Sequence, residues 1–392
     1  MTPDWAQIRA EFPSLEGWTY LNSATFGQVP RCGVDAVRKH YERRDRLACS
    51  DFLDWFGDTD CIRGLVGKLI GCAGEDIAFI PNCSTAFSLL LGGIDWKPGD
   101  RIVTLEHEFP NNSYHPAWLA HRGVELIEAD WDHFYESITE RTRLVALSTV
   151  NYSTGFRPPM EEIGRFLRER GVQFYVDGTQ SLGALQFDIG AVQPDILSAH
   201  GYKWMLSPPG AAFMYVSPKV RERLTPGVIG WRSDRGWRDP ENLHHGAPQF
   251  AASAEKYEAG MLPFALLYGM AAAVEMILAI GPAAIERRVM ELADATRAVL
   301  RAAGATIPSD EQPQFDSQII CASFQGVDAS RLARDLKERK ILVSARQGNL
   351  RVSTHFYNDE TDLRRLGDVL GNLGFRVRAS LRTPPVSFHP VG

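Results

Sequence analysis

The chain has 392 residues, of which 44% are hydrophobic and 23% charged, and its formal net charge is −6 at pH 7. A chain of this length is too long to fold around a single hydrophobic core, so two domains are expected. The composition is that of a globular protein, and the lack of a basic stripe argues against nucleic acid as a partner.

Cysteine, histidine and hydropathy patterns exclude further classes of protein. The six cysteines form no Cys-x-x-Cys pair, which predicts reduced thiols and a cytoplasmic protein. The ten histidines are scattered along the chain, so no metal site is expected. Residues 1–15 contain acids and no apolar core, unlike a signal peptide. The longest apolar stretch, 264–281, contains Glu275 and predicts a buried helix between domains rather than a membrane span.

Residues 74–217 alternate short apolar runs with amphipathic segments. Strands are predicted at 77–81, 101–105, 124–128, 144–148, 172–176, 196–199 and 211–216. Helices are predicted to open at 84, to follow 112 and to span 160–170. This alternation predicts an α/β fold with a mainly parallel, seven-stranded sheet covered by helices on both faces.

The pattern changes after residue 217. Residues 221–258 are irregular and rich in Gly, Trp, Arg and His, and a segment of this kind is often functional. Long helices are predicted at 264–280 and 282–303, followed by strands at 318–323, 341–344 and 350–353 and helices at 328–339 and 360–373. These elements predict a smaller α+β domain. The predicted division is a large domain at 18–262, a small domain from 1–17 and 263–380, and a loosely ordered tail at 381–392.

Two polar residues follow neighbouring predicted strands. Asp177 follows the apolar run 172–176, and Lys203 follows the run 196–199. Because buried parallel strands place the residues at their carboxyl ends in a ligand crevice, both side chains are expected in one site. An acid that keeps a pyridine nitrogen protonated and a lysine that forms a Schiff base together suit pyridoxal 5′-phosphate (PLP).

A structural explanation exists for each of these residues, since Asp-Gly-Thr often starts a turn and most lysines are solvated. Lys203 differs because it lies among Tyr202, Trp204 and Met205. An amine in such surroundings loses solvation, its pKa falls, and it becomes a usable nucleophile or base. The functional interpretation is therefore favoured.

Two other strand ends supply candidate ligand contacts. Ser84 and Thr85 stand at a strand-to-helix junction, where free N–H groups and the helix dipole attract an anion. A plain N-cap by Ser84 is the structural alternative. Phe109 follows another strand end, where it would either stack on a planar cofactor or pack against the sheet.

The order of these motifs resembles the class V aminotransferase family of fold-type I PLP enzymes, from residue 20 to about residue 373. This family includes group II cysteine desulfurases, cystine lyases, kynureninases and isopenicillin N epimerases. The most specific match is Val-Asp-Gly-Thr-Gln-Ser at 176–181, followed by Tyr-Lys-Trp at 202–204. Gly-Trp-Arg-Ser at 230–233 is most similar to the cystine-lyase branch, and Arg351 opens the late arginine motif. The resemblance implies PLP, a small amino-acid substrate and a homodimer.

The resemblance also implies a role for each matched residue. Lys203 would form the Schiff base and then move the α-proton, Asp177 would pair with the pyridine nitrogen, and Gln180 would donate to the ring 3-oxygen. The remaining cofactor contacts would be Ser84, Thr85, His200 and Tyr202 at the phosphate, Phe109 over the ring, and Asn151 beside the ring oxygen and the substrate. Arg351 would grip the substrate α-carboxylate, whereas Arg346 and Arg232 are expected to be surface or interface charges.

The chain departs from the family pattern at two places. The loop 343–350 lacks the nucleophilic cysteine of group II desulfurases, so no persulfide relay is expected there. Cys321 lies in an apolar strand and is predicted to be packed and inert. Met261 stands where the family often has a threonine that reaches the partner's phosphate, which weakens the expectation of a shared phosphate site but not of a dimer.

The expected function is that of a PLP enzyme acting at Cα of a small amino acid, by lyase or aminotransferase chemistry through a carbanion. Epimerisation is an alternative, because removal of the Cα proton is common to all three reactions. A catalytically inactive PLP-binding protein is another. A nicotinamide dehydrogenase is discounted, since no Gly-x-Gly-x-x-Gly follows the early strands. The loop 20–30 and the irregular segment 221–258 are predicted to form the substrate pocket.

Overall fold

The computed structural model of the protein describes residues 3–239, 241, 243, 245–307 and 312–375. The predicted tail, 381–392, lies outside the described residues. The strands are β1 Thr19–Tyr20, β2 Ile77–Ile80, β3 Arg101–Leu105, β4 Glu125–Ala129, β5 Thr142–Ser148, β6 Gln173–Asp177, β7 Ile196–His200, β8 Ala212–Val216, β9 Ile319–Ala322, β10 Ile341–Leu342, β11 Ser344–Arg346 and β12 Asn349–Ser353.

The α-helices are interleaved with these strands. They are α1 Trp5–Arg9, α2 Arg31–Leu47, α3 Phe52–Ile70, α4 Cys83–Gly93, α5 Tyr114–Trp118, α6 Met160–Glu169, α7 Ile189–Val192, α8 Pro218–Arg223, α9 Phe264–Ile280, α10 Pro282–Ala302, α11 Ala329–Glu338 and α12 Glu360–Asn372. The predicted helices and strands are present within a few residues of their expected ends. Helices α2 and α3 were not predicted from the sequence pattern.

A seven-stranded sheet forms the centre of the molecule, in the order β2-β8-β7-β6-β5-β3-β4. The four pairs from β7 to β4 are parallel, and β8 pairs antiparallel with both β7 and β2. Alternate residues of β5 join different cores: Val145 and Leu147 pack into one, Leu144 and Ala146 into the other. Both faces of the sheet are therefore covered, as parallel strands require, and the predicted α/β fold class is confirmed.

A second, three-stranded antiparallel sheet has the order β11-β12-β9. Its core takes Leu292 from α10, Leu336 from α11 and Leu366 from α12. The side chain of Asp328 caps α11 by accepting from the Arg331 N–H at 2.9 Å, and Asp359 caps α12 in the same way.

The predicted strand 341–344 was wrong as a single element. Residues Ile341 and Leu342 pair in parallel with β1, whereas β11 turns to pair with β12. Because β10 pairs with β1 and the next strand, β11, pairs with β12, this split holds β1 and the loop after it beside β12. A bridge between Asn22 and Ser353 continues this contact.

Helix α9 is the long apolar helix expected from the sequence. It packs against α2 and α3 and buries Leu267, Met270 and Val274. Among the described residues no single helix is both long and apolar enough to cross a membrane. Helices α9 and α10 pass that test only as a pair, and the pair is bent by 84° at the junction.

Candidate active site

A cleft lies at the carboxyl ends of β5, β6 and β7, where the register places Asp177 between Ser148 and Ser198. The described residues that line it are Cys83, Ser84, Phe109, Asn111, Ser148, Tyr152, Asp177, Thr179, Gln180, His200, Tyr202 and Lys203. The structure thus brings together seven of the predicted site residues. Thr85, Asn151 and Arg351 are absent from this lining.

Lys203 is buried in the cleft, with 9% of its surface exposed. Its Nζ atom lies 5.6 Å from the centroid of the Phe109 ring and 5.8 Å from that of Tyr202, and it forms no salt bridge with a described carboxylate. Burial lowers the pKa of Lys203 to about 8, an effect that Asp177 opposes and Arg351 reinforces. A substantial neutral fraction of this amine is therefore available near physiological pH.

Asp177 ends β6 and is 6% exposed. One of its carboxylate oxygens accepts from the Thr179 N–H at 2.9 Å, and no described cation lies within 4 Å of the carboxylate. A buried carboxylate without a cationic partner is costly, so this charge suits a ligand that brings a cation to it.

The amino end of α4 forms one wall of the cleft. The Asn82 side chain, not Ser84, caps the helix by accepting from the Thr85 N–H at 2.9 Å, which leaves Ser84 free to face the cleft. The Thr85 hydroxyl also donates to the Asn82 Oδ1 atom, at 3.1 Å. The structure therefore places Ser84 in the lining, whereas Thr85 is not part of it.

Two polar atoms in the cleft are buried and lack a hydrogen-bond partner among the described residues. They are His200 Nδ1 and Asn111 Oδ1. The His200 Nε2 atom accepts from the Cys83 N–H at 3.4 Å, and burial lowers the pKa of His200. Buried polar atoms normally have partners, so these two orphans indicate a polar ligand in the cleft.

Aromatic side chains also line the cleft. Phe109 remains 44% exposed and meets Tyr152 edge to face, with 5.1 Å between ring centroids. Tyr202 packs against Phe26 at 4.8 Å and against His200 at 4.9 Å. Phe109, Tyr152 and Tyr202 thus line the cleft together with Lys203.

Gln180 lines the cleft and is held by two hydrogen bonds. Its Nε2 atom donates to the Ala24 carbonyl at 3.1 Å, and its Oε1 atom accepts from the Trp204 indole N–H at 2.8 Å. One amide N–H remains for a ligand, which is compatible with the predicted donation to a ring oxygen.

Asn151 lies beside the cleft rather than in its lining. Its Oδ1 atom accepts from Ser153 and Thr154, and its Nδ2 atom donates to the His107 carbonyl at 2.9 Å. These hydrogen bonds show that the Asn151 side chain stabilises the turn after β5. Its predicted contact with the cofactor and substrate stays a prediction.

Arg351, on β12, is 1% exposed. Its guanidinium donates to the Ser344 hydroxyl at 3.1 Å, to the Thr25 hydroxyl at 2.6 Å and to the Tyr152 carbonyl. It forms no salt bridge with a described carboxylate, and burial, followed by the charge of Arg346, lowers the pKa of Arg351 to about 10. The guanidinium is thus held by uncharged oxygens, and its predicted grip on the substrate α-carboxylate stays a prediction.

The loop 20–30 contacts Tyr202 and Lys203 of the cleft, although none of its residues is part of the lining. The Gly27 N–H donates to the Tyr202 carbonyl at 2.8 Å, and a Cβ atom at Gly27 would lie 1.8 Å from the Lys203 carbonyl oxygen. Only glycine allows this approach. No described residue of 221–258 lines the cleft either, so the prediction that these two segments form the substrate pocket stays a prediction.

Several lining residues were not predicted from the sequence, although each lies in or next to a segment from which a site residue or a strand was predicted. Cys83, Asn111 and Thr179 lie within the motifs that flagged their neighbours, Ser148 ends a predicted strand, and Tyr152 follows Asn151. The expectation that Arg232 is a surface or interface charge was wrong, because the residue is buried within the single chain. Its side chain is fully buried and pairs with Glu255 and Glu258, each at 2.8 Å.

Glu108 is a second buried acid near the cleft. Its carboxylate accepts from the Ser148 N–H at 2.7 Å, from the Ser148 hydroxyl at 2.5 Å and from the Asn112 amide at 3.1 Å. Burial raises the pKa of Glu108 to about 7, with a smaller contribution from the charge of Asp177. The residue borders a neighbouring cavity that shares Ser148 with the cleft.

Comparison with known proteins identifies the family of the chain. Residues 19–366 match the family model described as aminotransferase class-V. The chain is 25% identical to a probable cysteine desulfurase of Methanothermobacter thermautotrophicus, over 93% of this chain and 96% of that protein. It is 28% identical to the isopenicillin N epimerase of Streptomyces clavuligerus, over 94% of this chain and 98% of that protein.

A solved structure shares the fold. It is a mutant of C-DES with glycine covalently linked to the PLP cofactor, and it matches with a TM-score of 0.85 and 21% identity, over 95% of this chain and all of that chain. The chain belongs to the class V aminotransferase family and is a PLP-dependent enzyme. The resemblance inferred from the motifs and the predicted cofactor are confirmed.

Proposed function

We propose that the protein acts at Cα of a small amino acid by lyase or transaminase chemistry, with Lys203 as the residue that carries the cofactor and moves the α-proton. The observation that carries this proposal is the placement of a buried, unpaired lysine and a buried, unpaired carboxylate in one cleft. Each group would be costly in an empty protein interior, and a pyridine-ring cofactor relieves both costs.

The cleft residues suit PLP by their chemistry. Asp177 would hold the ring nitrogen, Phe109 would cover the ring, and Ser84, His200 and the α4 amino terminus would bind the phosphate. The His200 Nδ1 and Asn111 Oδ1 atoms, which lack partners among the described residues, would gain them from polar groups or water around the ligand. When bound, PLP supplies an aldehyde that reacts with amines and a ring that accepts the electron pair left at Cα.

The chain itself would orient the substrate and move its proton. Arg351 would bind the α-carboxylate, which fixes the direction of the Cα–H bond relative to Lys203. The lowered pKa of Lys203, about 8, lets its amine accept that proton near neutral pH. Phe109 and Tyr152 would limit the access of water to the reacting centre.

A cysteine persulfide relay is not part of the proposal. The residues 343–350 contain no cysteine. Cys321 is buried, its thiol faces the Ser153 carbonyl, and burial raises the pKa of Cys321 to about 12. A thiol of this kind is not a nucleophile at neutral pH.

Epimerisation is the second candidate, because the 28% identity to an isopenicillin N epimerase extends over nearly the whole chain. This reaction needs an acid or base on the Cα face opposite Lys203. Incubation with an L-amino acid in deuterated water distinguishes the two. Deuterated D-isomer without keto acid, ammonia or sulfide would favour epimerisation, whereas any of those products would favour the leading proposal.

The test of the proposal is the absorbance of the purified protein after addition of PLP. We expect a band at about 400–430 nm, typical of PLP bound to lysine, that shifts when amino acids are added. Lys203→Ala should abolish the band, and Lys219→Ala, at an exposed lysine, should retain it. A band that survives in Lys203→Ala would overturn the assignment of Lys203.

We further propose a homodimer in a reducing compartment such as the cytoplasm. Exposed apolar side chains cluster on two segments that touch through the Arg232 N–H and the Ala259 carbonyl, 3.0 Å apart. These side chains are Val228, Ile229, Trp231 and Met261. Exposed apolar surface of this kind marks an interaction site. The reducing compartment is proposed separately, because all six cysteines are free.

A further inference from the structure

A second arginine shares a sheet face with Arg351. Strands β11 and β12 pair antiparallel, with Ser344 opposite Arg351 and Arg346 opposite Asn349. The 3.1 Å hydrogen bond from Arg351 to the Ser344 hydroxyl shows that these two side chains lie on the same face. Arg346 is two residues from Ser344, and side chains two apart in a strand point the same way. Arg346 and Arg351 therefore project from one face of this hairpin.

Arg346 has no carboxylate partner among the described residues. Its side chain is half-buried, and its one recorded hydrogen bond runs to the neighbouring Ala345 carbonyl, at 2.7 Å. Its charge lowers the pKa of both Lys203 and Arg351, which is consistent with a position near the cleft. The sequence had suggested a surface or interface charge instead.

Two neighbouring guanidinium groups without acids repel each other and are costly to keep together. Neither guanidinium forms a salt bridge with a described carboxylate. A ligand with one carboxylate would neutralise one of the two arginines. A ligand with two acidic groups would neutralise both.

We propose that the substrate is an amino acid whose side chain carries a second acidic group. Arg351 binds its α-carboxylate and Arg346 binds the side-chain acid. This inference rests on the proposed function and deepens it by naming the substrate class.

The test compares acidic and neutral amino acids on the PLP-loaded enzyme. We expect aspartate, glutamate or cysteine sulfinate to exceed alanine and cysteine in kcat/KM. Loss of a charged hydrogen bond is typically worth about 1.5–3 kcal/mol, so Arg346→Gln should lower kcat/KM for the acidic substrate by roughly 10- to 150-fold. The same change should alter kcat/KM for neutral amino acids by less than about threefold. Arg334→Gln, at an exposed arginine on α11, is the charge-matched control and should leave both unchanged.

A binding experiment without turnover provides the second readout. Succinate should raise the melting temperature of the protein more than butyrate does, and Arg346→Gln should remove that difference. An equal loss for acidic and neutral substrates in Arg346→Gln would mean that both arginines grip one carboxylate and would overturn the inference, as would no loss at all. The lysine-bound PLP band separates the two proposals: if it forms normally while acidic substrates show no preference, only the substrate class falls.

Discussion

Lys203 and Glu108 are buried titratable groups whose pKa values move toward neutrality from opposite sides. Burial lowers the pKa of the amine to about 8 and raises the pKa of the carboxyl to about 7. The cause is the same in both, because loss of water disfavours whichever form is charged. Only the amine lies in the cleft lining, whereas Glu108 acts on the site through its bonds to Ser148 and Asn112.

The stability of the protein should depend on pH through Glu108. Its pKa is raised from 4.5 to about 7, so between these values the folded state holds a proton that the unfolded state releases. The free energy of unfolding therefore falls as pH rises through this window, by about 3 kcal/mol from this residue. Glu108→Gln does not titrate, so the variant should gain stability relative to the parent between pH 5 and pH 8.

Chemical denaturation at the two pH values measures this difference. The test compares how much the free energy of unfolding changes between pH 5 and pH 8 in the parent and in the variant. A loss of stability from the altered hydrogen bonds to Ser148 that is the same at both pH values does not affect this comparison. The same stability difference at pH 5 and pH 8 would contradict the raised pKa of Glu108. Glu291→Gln, at an exposed acid on α10, is the control for general charge effects.

At the scale of elements, a buried ion cluster joins the irregular segment to the sheet. The Glu258 carboxylate forms ion pairs with Arg63 of α3 at 2.6 Å and with Arg232 at 2.8 Å. It also accepts a hydrogen bond from the Phe79 N–H of β2 at 2.8 Å. These contacts hold the 228–232 and 258–262 segments against the large sheet. The segment 221–258, which lacks long regular elements, is thereby anchored without lining the cleft.

Breaking this cluster should destabilise the fold. Glu258→Gln would leave two buried arginines short of their shared carboxylate, and removal of one partner of a buried ion pair typically costs about 3–5 kcal/mol. The free energy of unfolding, measured by urea titration at pH 7, checks this. Asp95→Asn, which removes an exposed partner of Lys97, should have no measurable effect. Equal, small effects of both changes would rule out a structural role for the cluster.

The elements of the large sheet were predictable because each is encoded locally. Apolar runs such as 144–148 and 172–176 mark strands buried on both faces, and polar residues after them mark the strand ends. The split between β10 and β11 was not predictable in this way. It depends on two different partners, β1 and β12, which lie far from each other in the chain.

At the scale of the whole molecule, the exposed apolar side chains near Met261 predict self-association. Met261→Asp combined with Trp231→Asp should convert a dimer to a monomer, because each change places a charge in an apolar contact. Light scattering during size-exclusion chromatography reports the mass. Ser330→Asp, at an exposed site on α11, should leave the mass unchanged. A monomeric parent protein, or an unchanged dimer in the double variant, would refute this interface.

The sequence alone determined the fold class and the cofactor, and it predicted that Asp177 and Lys203 lie in one cleft. Alternating apolar runs specify a sheet covered on both faces, and residues that follow parallel strands necessarily meet at one edge. The order of motifs then indicated the family, which the comparisons confirm.

Only the tertiary structure decided how the polar groups are partnered. Asn151 is engaged in a turn, Arg232 is buried against acids, and Arg346 shares a face with Arg351 without an acid of its own among the described residues. These outcomes depend on which distant residues arrive beside each side chain. The free energy of a buried charge is set by such neighbours and by the loss of water, and neither is encoded in the residues adjacent to it in sequence.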